Sequence, residues 1–415
     1  MDNINNTIFL LISFFVFISL AYAYRNINRS IFLQPLVISQ LTFAITIYTI
    51  LKIWNKGHMT DEDFIIIMMQ CCVFFITWLI APYMISKIQI LNPDGKDISG
   101  SFVPKKIDHQ IYIFLFFCFL LLNSYYLMSF WSTYNAGDQR LLYARDNRAF
   151  NIIQSLVTSW YVVLLFVFSI SRGDLFDKIA LLIYFITTLV SGSKAAVVGS
   201  LFAYLFFYFN IKNKEGRLNF KIILLIVVLL FLPTFVMYGT GVVEKVLYRI
   251  SMSADIYPIA FEAGNYKRLI GFYDPLSYIF HPFTMIFGER GYEYPMGAQI
   301  LQTMGQEVTG MGPNSQMPVL NLVLFGNDIT TILIVTLLFA ILSFLTIIVG
   351  YKILTSLIFP LFFRVIIFAF SYSAFMVMFF DIGSYEFNVV YMIGVICIFL
   401  CVLFLLKLST KRAIQ

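Results

Sequence analysis

Long apolar stretches follow one another along this chain, at approximately 6–24, 31–51, 64–85, 110–131, 152–170, 174–191, 195–210, 222–240, 326–349, 357–380 and 388–407. A helix of about 20 apolar residues is what crosses the roughly 30 Å hydrocarbon layer of a bilayer. The sequence therefore predicts an all-α integral membrane protein with about eleven transmembrane helices. Composition agrees: 60% of the 415 residues are hydrophobic and only 12% charged, with a mean hydropathy of +0.85, values foreign to a water-soluble domain of this size. The 46 Phe and 25 Tyr suit helices that face acyl chains and end in interfacial aromatic belts. The first run, Ile8 to Ala23, lacks a basic leader and a small-residue cleavage site, so it reads as a membrane helix rather than a cleaved signal peptide.

The net charge of +6 sits in short connecting loops and reports topology, not attraction to nucleic acid. With Lys407, Lys411 and Arg412 taken as cytoplasmic, eleven spans put Arg25, Arg29, Lys87, Lys96, Lys105, Lys106, Arg172, Lys178, Lys212, Lys214, Arg217, Lys221 and Lys352 on the same side. The short loops of the other side carry only Lys52, Lys56, Arg140, Arg145, Arg148 and Lys194. By the positive-inside rule the N-terminus and the longest loop are external. Three parts result: 1–240 with the first eight helices, a large external loop over 241–325, and 326–415 with the last three helices and a cytoplasmic tail.

A connection of that length is normally functional or disordered. This one contains Tyr248, Tyr257, Phe261, Tyr266, Phe272, Tyr273, Tyr278, Phe280, Phe283, Phe287, Tyr292 and Tyr294, too many aromatics for a solvated chain. Asp274-Pro275 reads as an N-cap with Pro at the first helical position, opening a short helix that stops near His281-Pro282. Pro295 opens a second through Gln302, and Gly310, Gly312 and Pro313 mark a turn before the chain re-enters the membrane. Such pieces predict a cap of short helices on the outer surface.

Polar residues of the cap include Arg249, Arg268, His281, Glu289, Arg290, Asn314 and Gln316. Arg binds phosphate oxygens bidentately and stabilises charge on a departing pyrophosphate. A Glu or His within hydrogen-bond reach of an attacking hydroxyl acts as base. External loops also carry charges that are merely solvated or paired. Lys194, in Ser191-Gly192-Ser193-Lys194, either reaches the cavity or snorkels to the interface. Arg140, Arg145, Asp146 and Arg148 present the same alternative. Arg364, inside an apolar run, is a functional candidate by its place in the membrane, with Asp381 as a structural partner to weigh against that.

No P-loop, zinc motif, dinucleotide-binding glycine pattern or Gly-x-Ser-x-Gly elbow is found, which excludes the commonest nucleotide and hydrolase chemistries. Asp61-Glu62-Asp63 nominally offers two carboxylates for a metal, but Thr60 followed by Asp63 reads better as a capping box for the third helix. No metal and no cofactor are expected. The cysteines, Cys71, Cys72, Cys118, Cys397 and Cys401, all fall in apolar segments and read as packing or lipid-facing residues. No internal repeat is detectable, which weighs against a secondary transporter.

The whole pattern resembles the bacterial O-antigen and capsule repeat-unit polymerases, the Wzy-type family: many spans, with a large external loop in the second half. Ser191-Gly192-Ser193-Lys194-Ala195-Ala196 resembles that family's small-Gly-Ser-Arg segment, with Lys in place of the usual Arg. Gly310-Met311-Gly312-Pro313-Asn314 through Leu324-Phe325-Gly326 resembles its Gly-Pro stretch before an apolar helix. The resemblance implies a GT-C-like fold in a bacterial inner membrane. It also implies metal-independent glycosyl transfer between undecaprenyl pyrophosphate-linked oligosaccharides on the periplasmic face. Arg249, Arg268, Arg290 and Lys194 would then hold pyrophosphate, Asn314 would contact substrate, and His281 or Glu289 would be the base. A chain-length regulator and a repeat-unit flippase are the implied partners. An O-antigen ligase is the nearest enzymatic alternative, and a lipid-linked oligosaccharide flippase the main non-enzymatic one.

Overall fold

The computed structural model describes residues 2–28, 36–90, 104, 106–131, 148–190, 204, 207–208, 211, 254–280, 296–305, 316–356, 359–380, 388–397 and 399–400. Every regular element among them is helical. The long helices are α1 (Asp2–Asn28), α2 (Leu36–Asn55), α3 (Asp61–Ile90), α4 (Lys106–Trp131), α5 (Arg148–Ser171) and α6 (Leu175–Val190). After the short helices α7 (Ile256–Phe261), a 3-10 helix (Glu262–Leu269), α8 (Pro275–Ile279), α9 (Met296–Thr303) and α10 (Met317–Phe325), long helices return as α11 (Ile329–Thr355) and α12 (Leu361–Val377). A further apolar helix, α13, covers Asn388–Cys397.

Five helices among the described residues are long and apolar enough to cross a bilayer: Asn5–Tyr24, Asp61–Ile85, Lys106–Tyr126, Ile153–Ser171 and Ile329–Leu354. The protein is thus an all-α membrane protein. The spans expected at 222–240 and over most of 195–210 lie outside the described residues. Polar side chains rarely interrupt the spans, so burial divides each helix into a packing stripe and a lipid-facing stripe. Along α3, Ile66, Ile67, Cys71, Phe74 and Trp78 are buried, while Ile65, Met69, Ile76 and Ile80 are exposed. Cys71 is buried and Cys72 exposed, and both are free thiols, as are Cys118 and Cys397.

Contacts at the helix ends sort into two faces. On one, Asn5 Nδ2 donates to Asn55 Oδ1 at 3.0 Å and Trp54 Nε1 to Asp61 Oδ1 at 2.8 Å. Thr60 caps α3 as expected, its Oγ1 accepting from the Asp63 backbone N–H at 3.2 Å; the Asp63 carboxylate does not close the box but bonds elsewhere. On the other face, Arg172 Nη1 meets His109 Nδ1 at 2.8 Å and also pairs with Asp174. There the buried Asp108 accepts the Phe362 backbone N–H at 3.0 Å, supplying α12 with an acceptor from α4. Ends assigned from the basic loops to the same side thus meet one another.

Arg364 belongs to this second face. Its side chain is buried and Nη1 donates to the Leu354 carbonyl at 3.0 Å, satisfying an orphan acceptor at the C-terminal end of α11. The Leu354 carbonyl is therefore a structural partner of Arg364; Asp381 lies outside the described residues. Beyond that point α11 and α12 approach closely. A Cβ added to Gly350 would stand 2.5 Å from Ser371 Cβ, so glycine is what lets these helices pack at that distance. Ser371 Oγ in turn reaches Met392 Sδ of α13 at 3.1 Å.

Candidate functional site

The described parts of the 241–325 loop fold as short helices whose apolar residues join the core of the bundle. The expected helix begins at Asp274, whose carboxylate accepts the Ser277 N–H at 2.7 Å, with Pro275 at the first position and the end at Ile279. This bond holds the Asp274 carboxyl below the usual range. The second short helix runs Met296–Thr303, directly after Pro295. Tyr257, Phe261, Tyr266, Leu269, Tyr273, Tyr278, Met296 and Ile300 are all buried. Ring pairs Phe261–Tyr266, at 4.9 Å, and Tyr273–Tyr278, at 5.0 Å, tie neighbouring pieces together. Burial of so much aromatic surface is what gives these short helices an order they lack alone.

A polar bond links these helices to the bundle: the buried Tyr266 hydroxyl donates to Asp63 Oδ1 in the first turn of α3 at 2.7 Å. Burial, followed by the neighbouring Asp63, pushes the Tyr266 hydroxyl well above its ordinary pKa. Arg268, two residues further on, is exposed. Its Nη1 donates to the Thr303 carbonyl at 3.2 Å, so it closes the C-terminal end of α9, where a cation is favoured. Arg268 is the one residue of the sequence-derived site that the described residues include. Arg249, His281, Glu289, Arg290, Asn314 and Lys194 lie outside them.

Beneath the cap the structure departs from the sequence expectation. Residues 317–325, expected as the last stretch of the external loop, form α10, in which Met317 through Leu324 are all buried. At 1.5 Å per residue it is about 13 Å long, half a bilayer. Its polar side chains find partners inside the bundle. The Gln316 amide meets Thr46 Oγ1 of α2 at 3.4 Å. Asn321 Nδ2 donates to Gln70 Oε1 of α3 at 2.8 Å and lies 3.1 Å from Thr336 Oγ1 of α11. Gln70 Nε2 donates to the Pro318 carbonyl at 3.4 Å. Gln70 lies about 13 Å along α3 from Asp61, and Thr336 about 10 Å along α11 from Ile329, by the helical rise. Hence α10 starts near mid-depth and rises to the cap, where a Cβ on Gly326 would meet Ile270 at 3.6 Å.

The start of α10 is bonded to the end of α12: Met317 N donates to the Phe379 carbonyl at 3.0 Å. Phe379 packs at 4.9 Å against Phe43 of α2, itself about 18 Å below Asn55 by the helical rise. The two helices therefore meet end to end in the interior. Their lengths, about 25 Å and 13 Å, together match the roughly 40 Å of α11. Chemically this network is made of neutral amides and hydroxyls; it positions α10 and contains no base or nucleophile. Its signal in the sequence is a lone amide in an otherwise apolar run, at Gln70 and Asn321, which carries no charge to mark it.

Comparison with models of known families, with characterised proteins and with solved structures finds no match.

Proposed function

We propose that this protein is a metal-independent glycosyltransferase that polymerises undecaprenyl pyrophosphate-linked oligosaccharide repeat units at the periplasmic face of a bacterial inner membrane. The observation that supports this reading is a set of short helices rich in buried aromatic residues within one long interhelical connection, hydrogen-bonded through Tyr266 to Asp63 at the start of α3. A pump or flippase built from two related halves has no need of such an asymmetric cover. A transferase working on lipid-linked sugars needs a place where water is limited and a leaving pyrophosphate is held.

In this reading a sugar hydroxyl at the non-reducing end of an incoming repeat unit attacks the anomeric carbon of the growing glycan. The new glycosidic bond forms as the bond to pyrophosphate breaks. The pyrophosphate leaves with the electron pair, and His281 or Glu289 takes the hydroxyl proton. Arg249, Arg290, Lys194 and Arg268 neutralise the pyrophosphates, and Asn314 contacts substrate. Arg268 does so with guanidinium donors beyond the one given to Thr303.

The test is incubation of the purified protein with the undecaprenyl pyrophosphate-linked repeat unit of its host, with the products resolved on a gel. A ladder formed without nucleotide or added metal, and lost in Arg290→Ala and His281→Ala, is the expected result. Transfer to a lipid A-core acceptor in place of a ladder identifies a ligase. No ladder, together with passage of the lipid across proteoliposomes, identifies a flippase and ends the polymerase reading.

A further inference from the structure

α4 and α5, antiparallel and joined at one membrane face through His109 and Arg172, share a polar seam toward the opposite face, where the cap lies. Asn123 of α4 is buried there. Its Nδ2 donates to the Phe119 carbonyl at 2.9 Å and lies 3.2 Å from Thr158 Oγ1 of α5, while its Oδ1 accepts from Gln154 Nε2 at 2.9 Å. By the helical rise Ser155 stands about 24 Å and Ser159 about 18 Å from Ser171. Both lie inside the span Ile153–Ser171, in the cap's half of a layer roughly 30 Å thick.

The hydroxyls of this seam differ from others in the bundle. Thr49, Thr77, Thr187 and Thr346 each give their hydroxyl proton to the carbonyl one turn back, at 2.7 to 2.9 Å, which hides the group from lipid. Ser155 and Ser159 make no such bond and Thr158 only accepts, so none of these three hydroxyl protons has an acceptor among the described residues. Ser155 is exposed, and Gln154, Thr158 and Ser159 are half-buried. Leaving such groups against hydrocarbon is costly, and polar side chains at this depth face an interior or a water-filled space. The lipid-facing side of the helix is marked instead by Ile153, 54% exposed, which the helical period places opposite Ser155.

Asn123, Gln154, Ser155, Thr158 and Ser159 are uncharged amides and hydroxyls, groups that both donate and accept. One turn beyond Gln154, Tyr125 and Phe150 meet edge to face at 4.9 Å across the same two helices, with Tyr125 mostly exposed. Neutral donors and acceptors beside aromatic rings suit a sugar, whose hydroxyls do both and whose C–H faces are apolar. They do not suit a pyrophosphate, which calls for cations. We propose that this seam of α4 and α5 binds the uncharged sugar portion of a lipid-linked oligosaccharide, with sugar hydroxyls on Gln154, Ser155, Thr158 and Ser159. The subsite rests on the polymerase reading for the lipid-linked nature of its ligand.

The test uses the full chain in lipid nanodiscs, carrying Ser155→Cys or Ile153→Cys, treated with a membrane-impermeant maleimide and read site by site by peptide mass spectrometry. Labelling at 155 with 153 spared is expected, because the two positions share a depth and differ only in the side of α5 they occupy. Labelling of both, the mark of a plain interface, or of neither overturns the proposal. Labelling of Ser155→Cys is then followed with undecaprenyl pyrophosphate bearing the host's repeat unit and with bare undecaprenyl pyrophosphate. Only the sugar-bearing lipid is expected to slow it, and adding Gln154→Leu is expected to weaken that protection about fivefold, the scale of one neutral hydrogen bond. Unliganded labelling at 155 shows whether Gln154→Leu keeps the fold. Equal protection by the bare lipid, no protection, or undiminished protection in a folded Gln154→Leu variant overturns the proposal. Protection needs no turnover, so protection without a ladder ends the polymerase reading alone, and a ladder without protection ends this proposal alone.

Discussion

Tyr266 and Asp63 join two parts of the chain some two hundred residues apart through one hydrogen bond, and neither group is exposed. Tyr266→Phe leaves the ring in place but strands a buried carboxylate. A cost of about 1.5–3 kcal/mol follows from losing a hydrogen bond to a charged group, measurable as a lower unfolding temperature in detergent. The pH dependence has a definite sign. The folded-state pKa of Tyr266 is raised above the unfolded value near 10, so its contribution is intact below about pH 10 and falls as the pH rises further. Asp274 is the opposite case. Its carboxyl is held low by the Ser277 N–H, so the cap of α8 is complete above about pH 4 and is lost as the pH falls through the lowered value. Protection factors for hydrogen exchange at the amides of 277–280 should fall at acidic pH in the wild type, and should lose this dependence in Asp274→Asn. Unchanged exchange in both would mean that packing alone holds the helix.

At the scale of elements, the features most legible in the sequence were those with local causes. Asp274-Pro275 and Pro295 placed the two short cap helices because an N-cap carboxylate and a ring-locked φ act on their own neighbours. Thr60 likewise placed the start of α3. By contrast α10 was not legible. Its nine residues, MPVLNLVLF, are too short to span and too apolar for solvent. Its position depends on amides and hydroxyls contributed by α2, α3 and α11. The hydrogen bond from Asn321 to Gln70 at 2.8 Å therefore yields a sharp expectation. Asn321→Leu takes from Gln70 Oε1 its shorter donor, leaving Thr336 Oγ1 at 3.1 Å, and should destabilise by about 1 kcal/mol. Adding Gln70→Leu should cost less than the single change at Gln70, because the Asn321 amide that Gln70 served is gone and Thr336 Oγ1 keeps the Ile332 carbonyl. A double variant worse than the sum of the singles would contradict the network in unfolding experiments on all three proteins. Of the candidate site, Arg268 proved to close a helix end, a role that depends on Thr303 and is invisible in residue type alone.

For the whole molecule, the pairing of helix ends predicts opposite exposure of two sets of positions. Lys56→Cys, beside Asn55 and Asp61, should react with an impermeant maleimide from the periplasmic side of intact cells. Asp174→Cys, beside Arg172 and His109, should react only after the membrane is opened. Reversed labelling would invert the orientation and remove the periplasmic site. The meeting of α10 and α12 carries a consequence for biosynthesis. The chain emerges from the ribosome N-terminus first, so α10, one half of the column, is made before α12, the other half, beyond whose end the Phe379 carbonyl accepts the Met317 N–H. A half-span cannot enter lipid by itself without an exposed amide end. The segment must therefore wait at the membrane surface until the later helix has been laid down, and the column closes only after translation of its lower part is finished.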